Sequence, residues 1–332
     1  MDQKFKALIV SATEEGKYSC NISEKSISDL PQGDVLVKVH FSALNYKDAL
    51  SSTGNKGVTK NYPHTPGIDA AGVVEESNDP AFKAGDKVIV TSYDLGMNTS
   101  GGLAEYISVP AAWIVPLPEG MTMQEAMIHG TAGFTAGMCI NALCNYGVSP
   151  EKGKILVTGS TGGVGTLATA ILSKIGFRVT TVTGKPEAKE FLTKIGADEI
   201  VEREALDDQS GRPLLKSAYA GVIDTVGGNI LATALKSLTY GGAAAACGLV
   251  ASPQLPTTVF PFILRGNALF GIDSAECPMI LRKEIWHKLA NEWKPDHPDD
   301  LFTEISLEEV PQRLELMLAG KLIGKTVVKI CP

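Results

Sequence analysis

A strand, a glycine-rich turn and a helix follow one another in the segment ILVTGSTGGVGTLATAILSKIG, residues 155–176. The turn has the spacing G-x-x-G-G-x-G rather than the strict G-x-G-x-x-G. Its glycines allow a tight turn and let backbone N–H groups approach a pyrophosphate at the start of a helix. An ordinary glycine-rich loop is the alternative, but the strand before the turn and the helix after it fit a dinucleotide site on a parallel sheet.

The end of the next predicted strand indicates which dinucleotide binds. A site for NAD carries Asp or Glu about 20 residues beyond the glycines. This chain has Thr183, Gly184 and Lys185 there, and Arg203 follows the third strand. A hydroxyl, an open backbone and two cations favour the 2′-phosphate of NADPH. The alternative is that both cations are merely solvated.

Two patterns of secondary structure divide the chain. Up to about residue 120, short strands alternate with Gly/Pro turns, and from about residue 125 strands alternate with helices. Period-two alternation is clear at Val35, Val37, Val39 and Phe41. We expect an α/β protein with a barrel-like β domain over 1–124, completed by 275–332, and a doubly wound parallel sheet over 125–274. The last strand, KTVVKI, is expected to return to the first domain.

Charge and composition limit the possible partners. The chain has 332 residues and a formal net charge of −7, which argues against nucleic acid or an anionic membrane as a partner. The start MDQKFKALIV lacks a signal-peptide core, and no apolar stretch reaches about 18 residues, so we expect a cytoplasmic protein. The six cysteines lie far apart without a C-x-x-C pair, which predicts reduced thiols.

The chain resembles the medium-chain dehydrogenase/reductase superfamily. Within it, the chain is similar to the zinc-independent quinone oxidoreductase branch and to the NADPH-dependent acrylyl-CoA reductases in particular. The residues that carry the resemblance are LNYKDAL (44–50), PGIDAAG (66–72), GTAGFTA (130–136), VTGSTGGVG (157–165), DTVGG (224–228), CGL (247–249), PFILRG (261–266) and GIDS (271–274). It implies a GroES-like β-barrel domain, a Rossmann domain that binds NADPH, and a homodimer formed through the last Rossmann strand.

The resemblance also assigns residues to the cofactor. It implies that Tyr46 lies beside the nicotinamide and that Lys325 closes the site from the tail of the chain. The other implied cofactor-binding residues are Thr135, Thr161, Gly162, Gly163, Val164, Thr183, Gly184, Lys185, Arg203, Leu249, Ile272 and Ser274. Those at 161–164 would bind the pyrophosphate, and Leu249, Ile272 and Ser274 would hold the nicotinamide.

The stretch HTPGIDAAGVV, residues 64–74, occupies the place of a metal-binding turn. In zinc-dependent members of the superfamily a ligating histidine stands where this chain has Ile68, and their upstream cysteine has no counterpart in ALNYKD. A catalytic zinc needs about three protein ligands, and His64 with Asp69 cannot supply them. We therefore expect no metal. His64 is expected at the surface or in a loop, and Asp69 as a buried acceptor that ties the turn together.

Hydride addition to an activated alkene is the reaction that such a site performs most easily without a metal. We expect NADPH-dependent reduction of the β-carbon of a short α,β-unsaturated acyl-CoA such as acrylyl-CoA. Asn45 is expected to donate to the substrate carbonyl, and Tyr46 to orient the nicotinamide or supply a proton. Asp48 is expected to order the loop, and Asn45 and Asp48 are also good turn-formers.

Other interpretations of the chain stay open. Arg265 is the tentative partner of a CoA phosphate, together with Lys47, although Arg265 could equally serve the cofactor. The same scaffold also suits an NADPH:quinone oxidoreductase. A non-catalytic NADPH-binding sensor protein is the third possibility.

Overall fold

The computed structural model describes residues 3–331. The strands are β1 (Lys4–Ala12), β2 (Tyr18–Ser26), β3 (Val35–Ala43), β4 (Asp69–Ser77), β5 (Lys87–Thr91), β6 (Tyr106–Val109), β7 (Ile114–Pro116), β8 (Ile155–Val157), β9 (Val179–Thr183), β10 (Glu199–Glu202), β11 (Tyr219–Asp224), β12 (Leu238–Ala246), β13 (Ala268–Gly271), β14 (Phe302–Ser306) and β15 (Lys325–Lys329). The α-helices are α1 (Tyr46–Ser51), α2 (Met123–Tyr146), α3 (Gly163–Lys174), α4 (Lys189–Lys194), α5 (Gly228–Lys236), α6 (Phe260–Arg265), α7 (Met279–Ala290) and α8 (Val310–Leu318).

These residues group into two compact units. The first unit contains the chain up to Thr131, Ala275–Glu284 and the chain from Phe302 onward. The second unit contains Ala132–Ser274 and Ile285–Leu301.

The unit boundaries differ from the expected domains at two places. The first turns of α2 belong to the first unit, so the division falls after Thr131 rather than after residue 124. The tail expected at 275–332 is split, because residues 285–301 belong to the second unit. There the indole of Trp286 stacks on Phe134 with ring centroids 6.1 Å apart.

The first unit is built on a seven-stranded sheet. Its order is β14-β15-β3-β4-β5-β7, and β6 also pairs with β3. Val35, Val37 and Val39 are fully buried, as the alternation predicts. Phe41 is only half-buried, because the register between β3 and β4 shifts between Val39 and Phe41. Strand β15 pairs antiparallel with β3, which confirms the predicted return of KTVVKI.

The second unit is built on a six-stranded parallel sheet in the order β10-β9-β8-β11-β12-β13. The predicted doubly wound sheet is therefore confirmed. The strand order reverses between β8 and β11, and ligands bind to such sheets outside the carboxyl ends of the strands at this point. Over residues 3–331, no helix is both long enough and apolar enough to span a bilayer.

Candidate active site

The glycine-rich turn after β8 forms an open cradle at the start of α3. Gly159 has a φ of +60°, and a Cβ on Gly165 would lie 2.4 Å from the carbonyl oxygen of Gly159, so neither position accepts a side chain. The first intrahelical bond runs from the Thr166 N–H to the Gly162 oxygen at 2.9 Å. The N–H groups of the preceding turn have no acceptor within the helix and point beyond its end, where they suit a pyrophosphate.

A pocket of about 200 Å³ lies beside this cradle and collects the residues expected around the 2′-phosphate. Its lining is Thr158, Gly159, Thr161, Val182, Thr183, Gly184, Lys185, Arg203, Val226, Ile230, Val250 and Ala251. The Lys185 N–H donates to Thr183 Oγ1 at 3.0 Å. A Cβ on Gly184 would lie 2.8 Å from Arg203 Nη2, so the absence of a side chain at Gly184 leaves room for the guanidinium.

Lys185 and Arg203 bring two positive charges close together in this pocket. Burial lowers the pKa of Lys185, Glu187 opposes the shift, and the charge of Arg203 lowers the pKa further. The two cations therefore repel each other, and a phosphate bound between them relieves that repulsion.

An open pocket of about 510 Å³ lies at the carboxyl ends of β12 and β13. Leu249 and Ile272, both expected at the nicotinamide, line it together with Cys247. Leu249 lines this pocket and the next residue, Val250, lines the pocket described above, so the two pockets adjoin at this segment. Nearby, Thr135 Oγ1 donates to Ser274 Oγ at 2.7 Å, which ties α2 to the segment after β13.

In the first unit, Asp48 holds the PGID turn in place. One carboxylate oxygen accepts the N–H groups of Gly67 and Ile68 at 3.1 and 3.0 Å, and the other accepts the Asn45 N–H at 2.8 Å. Burial raises the pKa of Asp48 to about 7; the Asn45 N–H opposes this rise, and the nearby charge of Asp69 adds to it. The expected ordering role of Asp48 is confirmed. The expectation that Asp69 ties this turn is wrong.

Asp69 instead accepts hydrogen bonds from more distant segments, as the buried acceptor that the sequence predicts. The Thr131 N–H lies 2.9 Å from both carboxylate oxygens, and the Thr131 hydroxyl donates at 2.6 Å. Helix α2 is interrupted at Gly130, whose φ of 49° is not helical. Asp69 therefore satisfies the Thr131 N–H and hydroxyl directly after the interruption at Gly130.

Asn45 is fully engaged within the first unit. Its Nδ2 donates to Asp69 Oδ2 at 2.8 Å and to the Ala43 oxygen at 3.1 Å. Its Oδ1 accepts from Lys325 Nζ at 3.4 Å. Both amide hydrogens already have acceptors, which contradicts the expected donation to a substrate carbonyl. Asn45 positions its neighbours instead.

Lys325 and Tyr46 differ sharply in exposure. Lys325 is 2% exposed, and its Nζ lies 3.4 Å from the Leu44 oxygen and 3.9 Å from Asp69 Oδ2. Burial lowers the pKa of Lys325, against the opposing effects of Asp69 and Asp48. The ammonium is therefore held inside the first unit, and the implied role of Lys325 at the cofactor site stays a prediction. Tyr46, the first residue of α1, is 49% exposed.

The half-buried Arg265 binds backbone carbonyls of its own unit. Nη1 donates to the carbonyl oxygens of Lys236 and Leu238 at 2.8 and 2.7 Å, and Nη2 donates to the Leu215 oxygen. The guanidinium thus joins the end of α6 to the α5–β12 connection. The tentative assignment of Arg265 to substrate or cofactor stays a prediction.

His64 is also placed differently from the expectation. It is buried, its Nε2 lies 2.9 Å from the Gly96 oxygen, and its backbone pairs with Val10. It is a structural residue rather than a surface one. Within residues 3–331, no group of three or more His, Cys, Asp or Glu side chains is arranged to hold a metal ion.

Sequence reasoning missed several residues that shape these sites. The interruption at Gly130 carried one usable signal, because a glycine inside an apolar helical run often marks a special backbone position. Thr131 follows it directly. The apolar lining at Val226, Ile230 and Val250 carried no signal, since such residues also fill ordinary cores.

Comparison with known proteins gives two family models that match this chain. One is described as an alcohol dehydrogenase GroES-like domain and matches residues 31–119. The other is described as a zinc-binding dehydrogenase and matches residues 163–291. They fall on the first and second units respectively, apart from the residues of the second match in 275–284.

Two named relatives are similar over nearly the full length. The acrylyl-CoA reductase AcuI of Ruegeria pomeroyi is 42% identical over 98% of this chain and 99% of its own. The Bacillus subtilis protein named "Putative quinone oxidoreductase YhfP" is 45% identical over 94% of this chain and 95% of its own.

Solved structures agree with these relatives. The yhdH oxidoreductase of Salmonella enterica, in complex with NADP, has a TM-score of 0.95 and 43% identity over 98% of this chain and 100% of its own. The structure of Bacillus subtilis yhfP has NAD bound, with a TM-score of 0.96 and 44% identity over 98% of this chain and 99% of its own. The chain therefore belongs to the medium-chain dehydrogenase/reductase superfamily of oxidoreductases, in the subgroup of quinone oxidoreductases and AcuI-type acrylyl-CoA reductases.

Proposed function

We propose that this protein is an NADPH-dependent reductase that adds hydride to the β-carbon of an activated alkene, with a short α,β-unsaturated acyl-CoA such as acrylyl-CoA as substrate. The observation that carries the cofactor choice is the Lys185–Arg203 pair packed at Gly184, beside the glycine cradle. When bound, NADPH supplies the hydride. The similarity to AcuI, over almost the whole of both chains, supports the acyl-CoA substrate.

The second unit supplies the residues for holding the cofactor. The first-turn N–H groups of α3 suit the pyrophosphate, and Thr183, Lys185 and Arg203 suit the 2′-phosphate. The pocket at Leu249 and Ile272 has an apolar wall that suits the flat face of the nicotinamide. The Thr135–Ser274 hydroxyl pair fixes the neighbouring backbone in position.

Tyr46 is the group of the first unit that we assign to the reaction. Its side chain is 49% exposed, and it opens α1 directly after Asn45 and two residues before Asp48. Those two side chains fix the start of the helix, so the Tyr46 side chain leaves the backbone at a fixed position. We assign its phenol to orienting the nicotinamide or to protonating the α-carbon of the substrate. Asn45, Asp69 and Lys325 act as positioning residues beneath it.

We further propose that the reaction proceeds without zinc. The residues of the turn support this. Ile68, which cannot ligate a metal, stands at the ligand position, and the Asp69 carboxylate already accepts hydrogen bonds from Thr131 and Asn45. Metal analysis of the purified protein should find less than stoichiometric zinc. One zinc per chain, lost together with activity on chelation, would overturn this part.

A quinone oxidoreductase is the second candidate, since YhfP carries that name. The steady-state oxidation of NADPH should be compared with acrylyl-CoA and with a simple quinone. We expect a kcat/KM for the thioester at least about tenfold above that for the quinone, a difference of about 1.4 kcal/mol in transition-state stabilisation. Equal or reversed values would favour the quinone activity. Tight NADPH binding without turnover of any activated alkene or quinone would favour a sensor protein.

We also propose a cytoplasmic homodimer formed through the edge of the second unit. Strand β13 ends the sheet, so one of its sides has no neighbouring strand in residues 3–331. Helix α6 beside it leaves large apolar side chains exposed, namely Phe260 at 45%, Ile263 at 71% and Leu264 at 55%. Sedimentation should give a dimer, and Ile263→Glu should give a monomer. A wild-type monomer at micromolar concentration would refute it.

A further inference from the structure

Three lysines of the first unit are joined by direct contacts near the start of α1. Lys47, the second residue of that helix, is half-buried, and its Nζ lies 3.8 Å from the Met97 sulfur. The N–H of the exposed Lys60 donates to Asn98 Oδ1 at 3.2 Å. Lys56, also exposed, donates from Nζ to the Lys60 carbonyl oxygen at 2.7 Å. We call these three lysines the lysine face.

The loop that carries Lys56 and Lys60 is anchored to α1. The Thr59 N–H donates to the Asn55 oxygen at 3.0 Å. The hydroxyls of Thr59 and Ser51, the last residue of α1, are 2.8 Å apart, and both residues are fully buried. The backbone of the two exposed lysines therefore has a defined position relative to α1.

The lysine face carries positive charge that its surroundings do not neutralise. Asp94, the carboxylate of the neighbouring loop, accepts hydrogen bonds within that loop from Asn98 Nδ2 and Thr99 Oγ1, each at 2.9 Å. Within residues 3–331, none of the three lysines forms an ion pair. Elsewhere in the same unit, by contrast, Lys4 pairs with Glu24 at 3.5 Å. The face is thus a local excess of positive charge in a chain with a formal net charge of −7.

The contacts of these ammonium groups leave donors for a ligand. An ammonium has three N–H donors. Lys47 Nζ contacts the thioether of Met97, which is a weak acceptor. Lys56 Nζ donates to one carbonyl oxygen and lies 4.8 Å from the centroid of the Tyr62 ring. Phosphate oxygens accept charge-assisted bonds from such groups, so the lysine face suits a phosphate-bearing ligand.

We propose that the lysine face binds the phosphate groups of the acyl-CoA substrate and so holds its nucleotide part beside the helix that begins at Tyr46. This inference rests on the proposed function, for which it supplies a CoA subsite. The phosphates of NADPH are assigned to the second unit, so the lysines of the first unit serve a different ligand. Because the protein as a whole is acidic, an anionic substrate needs a local group of cations such as this one.

The lysine face also gives a physical basis for preferring a CoA thioester to a simple quinone. A simple quinone carries no phosphate, so it gains nothing from these lysines. The phosphates lie in the part of the substrate that does not react, and their binding affects the ground state and the transition state alike. Removing the lysines should therefore act mainly on KM rather than on kcat.

The test variant replaces two exposed residues of the face, as Lys56→Gln together with Lys60→Gln. Lys83→Gln together with Lys87→Gln is the matched control, because both residues are exposed lysines of the first unit outside the lysine face. It removes the same amount of charge. Equal thermal-unfolding midpoints for the two double variants show that any difference between them is a difference in binding.

Steady-state kinetics should be measured with acrylyl-CoA and with acrylyl-pantetheine, which has the same thioester but no phosphate. For the test variant we expect kcat/KM with acrylyl-CoA to fall at least about tenfold, mainly through KM. The loss with acrylyl-pantetheine should be at least about fivefold smaller, and higher salt should reduce the difference between the two substrates. Equal losses with both substrates, or the same loss in the control variant, would overturn the proposal.

A calorimetric titration with propionyl-CoA in the presence of NADPH separates this proposal from the proposed function, because propionyl-CoA binds without being reduced. We expect the test variant to bind it at least about tenfold more weakly than the wild type and the control variant do. That result would establish the phosphate site even if acrylyl-CoA were not turned over. Turnover of acrylyl-CoA with equal affinities for propionyl-CoA in all three proteins would overturn the lysine face and leave the reductase activity standing. Failure of the wild type to bind propionyl-CoA would also overturn it.

Discussion

Lys325 and Asp69 form an ion pair inside the first unit, with Nζ 3.9 Å from Oδ2 and side-chain exposures of 2% and 0%. A charge buried this deeply is stable only with partners. Asp69 also accepts from Thr131 and Asn45, which links the pair to the last residue of the first unit on α2 and to the start of α1. The pair thus supports the segment that presents Tyr46.

Lys325→Met should destabilise the protein by about 3 kcal/mol or more, because it leaves the buried carboxylate without its cation. Lys329→Met is the matched control, since Lys329 lies on the same strand but is exposed, and it should change stability by less than about 0.5 kcal/mol. Urea denaturation measures both. Similar losses of unfolding free energy in the two variants would show that the Lys325–Asp69 ion pair contributes little to stability.

Gly130→Ala should be much more damaging than an ordinary glycine substitution. Its Cβ would lie 2.3 Å from Asp69 Oδ2, in addition to the strain of a φ of 49°. Gly320 has a φ of +66° with nothing within 4 Å of an added Cβ, so Gly320→Ala carries only the backbone strain of about 1–2 kcal/mol. We expect the thermal-unfolding midpoint of Gly130→Ala to be clearly lower than that of Gly320→Ala. Equal midpoints for the two variants would mean that the close approach of Asp69 to Gly130 does not contribute to stability.

The charge state of Asp48 should make stability depend on pH in a defined direction. Burial raises the pKa of Asp48 to about 7 in the folded protein, against about 3.9 in an unfolded chain. Between these values the folded state binds a proton that the unfolded state lacks, so this contribution to stability falls as pH rises.

Asp48→Asn isolates this effect, because asparagine does not titrate. The free energy of unfolding of the wild type relative to the variant should fall by one or more kcal/mol between about pH 5 and pH 8. Urea titrations at several pH values measure the difference. A difference that stays constant over this range would contradict the raised pKa.

Lys185→Glu should weaken NADPH binding far more than NADH binding. It replaces one of the two cations at the 2′-phosphate by an anion, and we expect at least about a hundredfold loss of affinity for NADPH, or about 2.7 kcal/mol. Lys216→Glu makes the same change of charge at an exposed residue and is the control. Equal losses for NADPH and NADH in a fluorescence titration would refute the role of Lys185.

The parts of the structure that depend on local pattern could be predicted from the sequence. The glycine turn, the parallel sheet and the return of β15 all follow from periodicity and turn chemistry. The failures concern side chains whose partners are distant in sequence. Asn45 and Arg265 read as free polar groups, yet Asn45 binds Asp69 and Arg265 binds three backbone carbonyls. The sequence pattern does not reveal which polar side chains are already satisfied.

The most direct test of the central claim is the fate of the transferred hydrogen. Acrylyl-CoA should be reduced with NADPH deuterated at the transferred position of C4, and the propionyl product examined by NMR and mass spectrometry. We predict one deuterium at the β-carbon and a solvent-derived proton at the α-carbon. A product without deuterium at the β-carbon, or no propionyl product while a quinone consumes NADPH, would contradict the account.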